Sequence, residues 1–172
     1  MKRLALWFLV VISCACYAAA QRDGTIPVPV KWLMDNTDKM IGVFPQTSDK
    51  KSQLKSDTVL EAGSYRPCGL EWKSNKPKRG IYIFVPLRDM NPQRVAVLES
   101  DKVANPGTGF WQLTLFATDR KKSIVWTGDK AFAYSNEIRL VLPDKNTAER
   151  FARALRDAVT QCGGKPDTPE PY

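Results

Sequence analysis

The chain has 172 residues, 26 lysines and arginines against 18 acids, a net charge of +8, and no histidine. Without histidine, Ser-His-Asp and Cys-His hydrolases and histidine-ligated zinc centres are excluded. Four cysteines are too few for a disulfide-dense scaffold, so the fold must rest on an apolar core.

In chain order, residues 1–20 read as a secretory signal. Lys2 and Arg3 lead into an apolar run, Leu4 to Ile12, and then into small residues. A membrane span needs roughly 18 or more apolar residues, and Ser13 interrupts the run too early for that. Two processing sites compete. Ala18-Ala19-Ala20 before Gln21 fits the small-x-small cleavage rule. Val11-Ile12-Ser13-Cys14 resembles a bacterial lipobox, in which Cys14 becomes a lipidated first residue. Cutting after Ala20 leaves Cys68 and Cys162, an even pair, whereas cutting before Cys14 strands Cys16 as a free thiol in an oxidising space. The Ala20 cut is favoured, and anchorage at Cys14 is the alternative. Either route exports the protein, to a secreted or periplasmic location or to a lipid-anchored one. Removing residues 1–20 lowers the charge from +8 to +6, since Lys2 and Arg3 go and no acid does. That balance favours solubility and a weak attraction to polyanions, and no nucleic acid partner is expected.

Export favours a Cys68–Cys162 disulfide over two buried free thiols. Residues 21–67 read as an amino-terminal arm and polar linker. In "TIPVPVKW", Pro27 and Pro29 remove ladder donors and predict an edge strand or an extended polyproline-like arm. Trp32 is placed to staple that arm to the body. "QTSDKKSQLKSDT" has no apolar period and reads as a long loop.

From Cys68 onward the pattern is β. "CGLEW" puts Cys68, Leu70 and Trp72 on one face. After the polar loop "KSNKPKR", "GIYIFVPL" puts Ile81, Ile83, Val85 and Leu87 on one face and Tyr82 and Phe84 on the other. "RVAVLES", "FWQLTLFAT", "SIVWT", "AFAYS" and "EIRLVL" follow, separated by turn chemistry. About seven short antiparallel strands at regular spacing predict a mainly β, α+β fold, either a small barrel or a sandwich. Trp72, Trp111 and Trp126 are assigned to its core. The last element has helical period, with Ala148, Phe151, Leu155, Ala158, Val159 and Cys162 on one stripe. Asn146 with Glu149 suggests its N-terminal cap, Glu149 pairs with Arg153, and Gly163-Gly164 supplies the stop. Arg150, Arg153 and Arg156 form its polar face. Residues 165–172, "KPDTPEPY", read as a disordered tail. The domain is therefore residues 68–164, with Cys162 facing inward toward Cys68.

Seven strands closed by one amphipathic helix, with "AERFARALRDAV" presenting Phe151 and Ala154-Leu155, resemble a pleckstrin-homology-like barrel domain within an exported bacterial protein of uncharacterised type. The resemblance covers about residues 68–164. In that family a basic cluster in the first hairpin holds phosphorylated lipid heads. Here Lys73, Lys76, Lys78 and Arg79 occupy that place, where ammonium and guanidinium donors on a tight turn can surround a phosphate. Arg120, Lys121 and Lys122 in a later turn extend the candidate set. The signal segment and the cysteine at the helix end depart from the family pattern.

No phosphate-cradling glycine loop, dinucleotide fingerprint or metal-ligand spacing occurs, so no cofactor and no metal are expected. Carboxylate-only hydrolysis needs two converging acids, and Glu71, Asp89, Glu99 and Asp101 are scattered. The expected function is a non-catalytic, exported binding or interaction domain. Its partner is expected to be a protein or a cell-envelope component, with an anionic surface as the alternative.

Overall fold

Helix α1 (Val28–Asp35) forms where the two prolines predict extended chain. Pro27 is its N-cap and Pro29 lies in its first turn. The first N–H groups of a helix have no intrahelical acceptor, so proline there costs no hydrogen bond. Val30 and Leu33 then fall one turn apart and are buried. The computed structural model describes residues 25–45, 60–63, 67–74, 82–99, 110–127 and 132–169, with the side chains of 44, 45, 60–63, 74 and 132 excluded. The signal segment, including Cys14, and the linker expected at 46–58 lie outside the described residues.

Among the described residues nine strands follow: β1 (Gly42–Pro45), β2 (Leu60–Gly63), β3 (Gly69–Ser74), β4 (Tyr82–Pro86), β5 (Met90–Glu99), β6 (Trp111–Ala117), β7 (Ile124–Thr127), β8 (Phe132–Ser135) and β9 (Glu137–Leu142). All seven segments read as strands are strands. β1 and β2 are additional and arise within the segment read as arm and linker. The first sheet has the order β1-β9-β6-β5 and the second β2-β3-β4-β7-β8, every pairing antiparallel. Among the described residues the two sheets are not closed into a barrel, which is consistent with the sandwich of the two forms left open. Their inner faces share one core. Val43, Leu113, Leu115, Ile138, Leu140 and Leu142 come from the first sheet, and Leu70, Trp72, Ile83, Val85 and Ile124 from the second.

The chain changes sheet three times through very short corners: Leu87–Asp89, Thr118–Arg120, and Asn136 between β8 and β9. Register puts all three at one end. Met90 pairs with Ala117 and Phe116 with Glu137 in the first sheet, while Ile124 pairs with Ser135 in the second. Pro92 in β5 is tolerated because β5 is an edge strand, and the register shifts between Met90 and Val95.

Helix α2 (Lys145–Gln161) packs on β5, β6 and α1. Its N-cap is Asp144, whose Oδ1 accepts from the Thr147 N–H at 2.9 Å, rather than the expected Asn146. Asp144 is two residues closer to the strand, and its side chain also accepts from the Thr147 hydroxyl at 2.7 Å. Glu149 pairs with Lys145 at 3.8 Å rather than with Arg153. Arg150 lies over the Trp32 ring, centroid distance 5.6 Å, and Arg156 donates to the Val95 carbonyl at 2.9 Å. The arginine stripe thus does packing work at two of its three positions. Trp32 meets Phe151 edge-on at 5.2 Å and fixes α1 to α2, as a staple should.

The helix ends in two reciprocal bonds, Gly163 N–H to Thr160 O and Gly164 N–H to Val159 O, with Gly163 at φ 81°. Cys162 is bonded there to Cys68, Cα–Cα 5.4 Å. Residues 165–169 of the segment expected to be a disordered tail are among the described residues. Asp167 clasps the Asp119 backbone, and Asp119 clasps that of Thr168. Asp167 Oδ1 accepts from the Asp119 N–H at 2.8 Å, and Asp119 Oδ1 accepts from the Thr168 N–H at 2.7 Å. Arg94 donates to Asp167 at 3.3 Å, and the Thr118 hydroxyl donates to the Lys165 carbonyl at 2.8 Å.

Candidate functional site

Strands apolar on both faces need cover on both faces. β4 is such a strand. Ile83 and Val85 point into the core, and Tyr82 and Phe84 point outward. Strand register continues the outward set across the second sheet. Glu71, Phe84, Val125 and Tyr134 form one row, and Lys73, Tyr82 and Thr127 form the next. Phe84 lies over Gly69, where a Cβ would come 2.5 Å from its ring. Gly69 therefore makes room for an aromatic ring lying flat along the sheet. Tyr82, Phe84 and Val125 are half-buried, and Tyr134 is 54% exposed at the outer edge. The result is an aromatic and apolar platform on an outward sheet face.

The acid and base on this platform are already engaged. Glu71 is 5% exposed; its carboxylate accepts from the Tyr82 hydroxyl at 3.2 Å and pairs with Lys73 at 3.4 Å. The Lys73 ammonium also sits 5.7 Å from the Tyr82 ring centroid. Lys73 is thus paired with Glu71 while its side chain stays 57% exposed at the surface.

Of the remaining basic candidates, Lys76, Lys78 and Arg79 lie outside the described residues. Arg120, Lys121 and Lys122 are exposed and follow the corner after β6. Asp119 and Arg120 there have φ of 52° and 54°, and the clasp to Asp167 holds the turn. Lys73 pairs with Tyr82, which pairs with Thr127, the far end of β7 from Ile124. Three strand steps, about 10 Å, separate those two ends, and Lys122 lies beyond Ile124. The structure therefore does not bring Lys73 together with Arg120, Lys121 and Lys122.

Hydrogen bonds to the Asp119 N–H and Asn91, and then the Arg94 charge, hold the Asp167 carboxyl below the ordinary carboxylate range. Bonds from Thr147, backbone first, do the same to Asp144. Both belong to structural clasps. Among the described residues no group of three or more cysteines or carboxylates gathers as metal ligands.

The core assignment of the tryptophans needs refinement. Trp72 is buried, while Trp111 and Trp126 are half-buried against the core. The platform itself was half visible in the sequence, because "YIF" alternates aromatics against aliphatics. Its extension to Val125 and Tyr134 needed the strand order.

Comparison of the chain with family models, with curated proteins and with solved structures found no match in any of the three.

Proposed function

We propose that this chain is an exported, non-catalytic binding domain that docks a partner protein of the cell envelope through the outer face of its second sheet. One observation carries the reading: Tyr82, Phe84, Val125 and Tyr134 line up across three strands on a face turned away from the core. Aromatic side chains with a polar tip are enriched at interfaces, where they bury large area at small conformational cost. The Glu71–Lys73 pair beneath them leaves the platform without net charge from that pair, which suits an apolar protein strip better than a polyanion. The Cys68–Cys162 bond fits an extracellular or periplasmic protein. Cleavage before Gln21 with release as a secreted or periplasmic protein is the favoured form, and lipid anchorage at Cys14 is the alternative.

Site-specific photocrosslinking in cells tests the docking face. A photoreactive phenylalanine at Tyr134 should give a discrete adduct with one protein, and the same group at Arg153 on α2 should not. Adding Phe84→Ala should abolish the adduct. Equal labelling from both positions, or none from Tyr134, removes the reading.

The competing reading is an anionic membrane surface held by Lys73, Lys76, Lys78 and Arg79 with Arg120, Lys121 and Lys122. Its support is the exposed triplet Arg120–Lys122. It requires vesicle binding that weakens with salt and disappears on Lys78→Glu with Arg79→Glu.

A further inference from the structure

An edge strand turns the N–H and C=O of every second residue away from its neighbour in the sheet. β5 is such a strand, at the end of the order β1-β9-β6-β5. Two observations fix which of its residues face outward. The Ala117 N–H donates to the Asn136 carbonyl, so Ala117 turns its polar backbone groups toward β9, and by alternation Leu115, Leu113 and Trp111 do the same. Thr114 and Gln112 therefore bond toward β5, and their partners there are Ala96 and Leu98. Val95, Val97 and Glu99 are left facing the open edge. Arg156 agrees independently, since it reaches the Val95 carbonyl at 2.9 Å from a helix and not from β6. Arg156 thus closes the first outward position and leaves Val97 and Glu99. Among the described residues no strand lies beyond β5, and this stretch is accessible: Val97 is half-buried, Leu98 is 59% exposed and Glu99 is exposed.

The charges beside this edge are also unspent. Val95 and Val97 pack on the core, so Glu99, two steps on, lies on the same side of the sheet as α2. α2 runs antiparallel to β5: Gly164 approaches the Met90 carbonyl, Arg156 holds that of Val95, and Lys145 lies over Trp111, the partner of Glu99. Arg153, one turn before Arg156, comes about level with Val97. Arg153 is exposed, and among the described residues neither it nor Glu99 has an ion-pair partner.

We propose that the open edge of β5 is the seat of a second copy of this chain, the two copies pairing antiparallel about a two-fold axis at Leu98. Val97 of each copy exchanges both backbone bonds with Glu99 of the other. Leu98 then meets Leu98, and each Glu99 stands opposite Val97, within reach of Arg153 of the other copy. A two-fold contact must be self-complementary, and this one is, in backbone groups, in apolar contact and in charge. Arg156 sets the register, because pairing centred on Val97 would need the Val95 carbonyl that Arg156 already holds. A foreign strand meets the backbone groups equally well; the leucine opposite Leu98 and the acid opposite Arg153 are what a second copy supplies. The paired stretch is short, so the dimer is weak and concentration-dependent. It lies on the first sheet, so it stands or falls independently of the docking platform on the second.

Hydrogen exchange on the wild-type chain from Gln21 is the first test. The Ala96 and Leu98 amides should be protected at every concentration. The Val97 and Glu99 amides should gain protection only as the chain is raised from about 10 μM to about 1 mM, in step with a dimer seen by sedimentation. Leu98→Cys should form a disulfide between copies under mild oxidation, because cross-strand neighbours of that kind lie within disulfide reach, and Tyr134→Cys should not. Glu99→Arg and Arg153→Glu should each weaken the dimer about tenfold, two pairs being lost by symmetry, and the double variant should restore it. A photoreactive group in place of Arg153 loses the same pair and should give no self-adduct. These positions are exposed, and the wild-type measurements stand without any variant. The proposal is overturned if the chain stays monomeric across that range, or if Glu99→Arg leaves the dimer intact. Protection of Val97 and Glu99 at every concentration would mean that the chain covers its own edge, and capture of a different protein by Leu98→Cys would mean a foreign strand; either result also overturns it.

Discussion

The two ends of the second sheet are built differently. At the corner end, β4 and β8 hand the chain to the first sheet and β6 hands it to the second, each within a few residues. There the Cys68–Cys162 bond, the glycine stop of α2 and the Asp119–Asp167 clasp meet, and the Leu87 N–H donates to the Cys68 carbonyl at 3.0 Å. The buried side chains at that end include Leu87, Met90, Ala117 and Ile124, together with the polar Asn91, Ser135 and Glu137. At the opposite end stand Trp72, Trp126, Tyr82 and Lys73, with two indole donors unanswered and an aromatic face turned outward. One end is closed by covalent and backbone bonds. The other holds two buried indole donors without a partner among the described residues, and the corner end holds one such atom, Ser123 Oγ. Groups of this kind carry a cost that the domain's other interactions must offset.

The largest break in this contrast is the double substitution Cys68→Ser with Cys162→Ser. The bond closes a loop with a sequence separation of 94. Its loss should lower the unfolding free energy by about 4–5 kcal/mol, read from urea denaturation. Next is Gly164→Ala. A Cβ there would meet the Val159 side chain and come 2.5 Å from the Met90 carbonyl oxygen. Neither the helix end nor β5 can yield freely, so a loss of about 1–3 kcal/mol is expected in the same assay. Both variants strike the corner end, and the contrast is sharpened if the indole resonances of Trp72 and Trp126 keep their positions in Gly164→Ala.

Acid should loosen the tail before it unfolds the domain. Asp167 is held below its ordinary pKa by the Asp119 N–H, Asn91 and Arg94. A carboxyl with a depressed folded pKa stabilises fully above the unfolded value, and that contribution disappears as the pH falls through the folded one. The amide signals of Asp119 and Thr168 should therefore move together below about pH 4. The smallest effect is expected at the other end. Tyr134→Lys changes a side chain that is 54% exposed and should alter stability by no more than about 0.5 kcal/mol while abolishing partner capture at the outer face. A large loss of stability in that variant would mean that the platform is structural.

Much of the architecture was legible from local pattern. Strict alternation in "FWQLTLFAT" sorted Leu113 and Leu115 from Gln112 and Thr114, and the 3.6 period from Ala148 to Cys162 assigned α2 and pointed Cys162 at Cys68. Export and cysteine parity then named the bond. What failed was context. "TIPVPVKW" contains two prolines, and only the position of a helix start, set by packing of Val30 and Leu33 and by Trp32 against Phe151, makes them harmless. Likewise the tail's composition reads as disordered, yet Asp167 meets a turn 48 positions earlier. Of the candidate basic cluster in the first hairpin only Lys73 is described, and its pairing with Glu71 two positions earlier follows from alternation along β3.

The sequence alone determined which residues face the core on β3, β4 and β6, because side chains alternate with a period that hydrophobicity records directly. It determined the helix and its cysteine for the same reason. Only the tertiary structure decided which strands are neighbours. Strand order therefore decided that Trp72, Ile83 and Trp126 share a row, and that Phe84, Val125 and Tyr134 share the row behind it. Adjacency across a sheet is set by long-range pairing, whose energy comes from contacts between distant segments and leaves no trace in the local pattern.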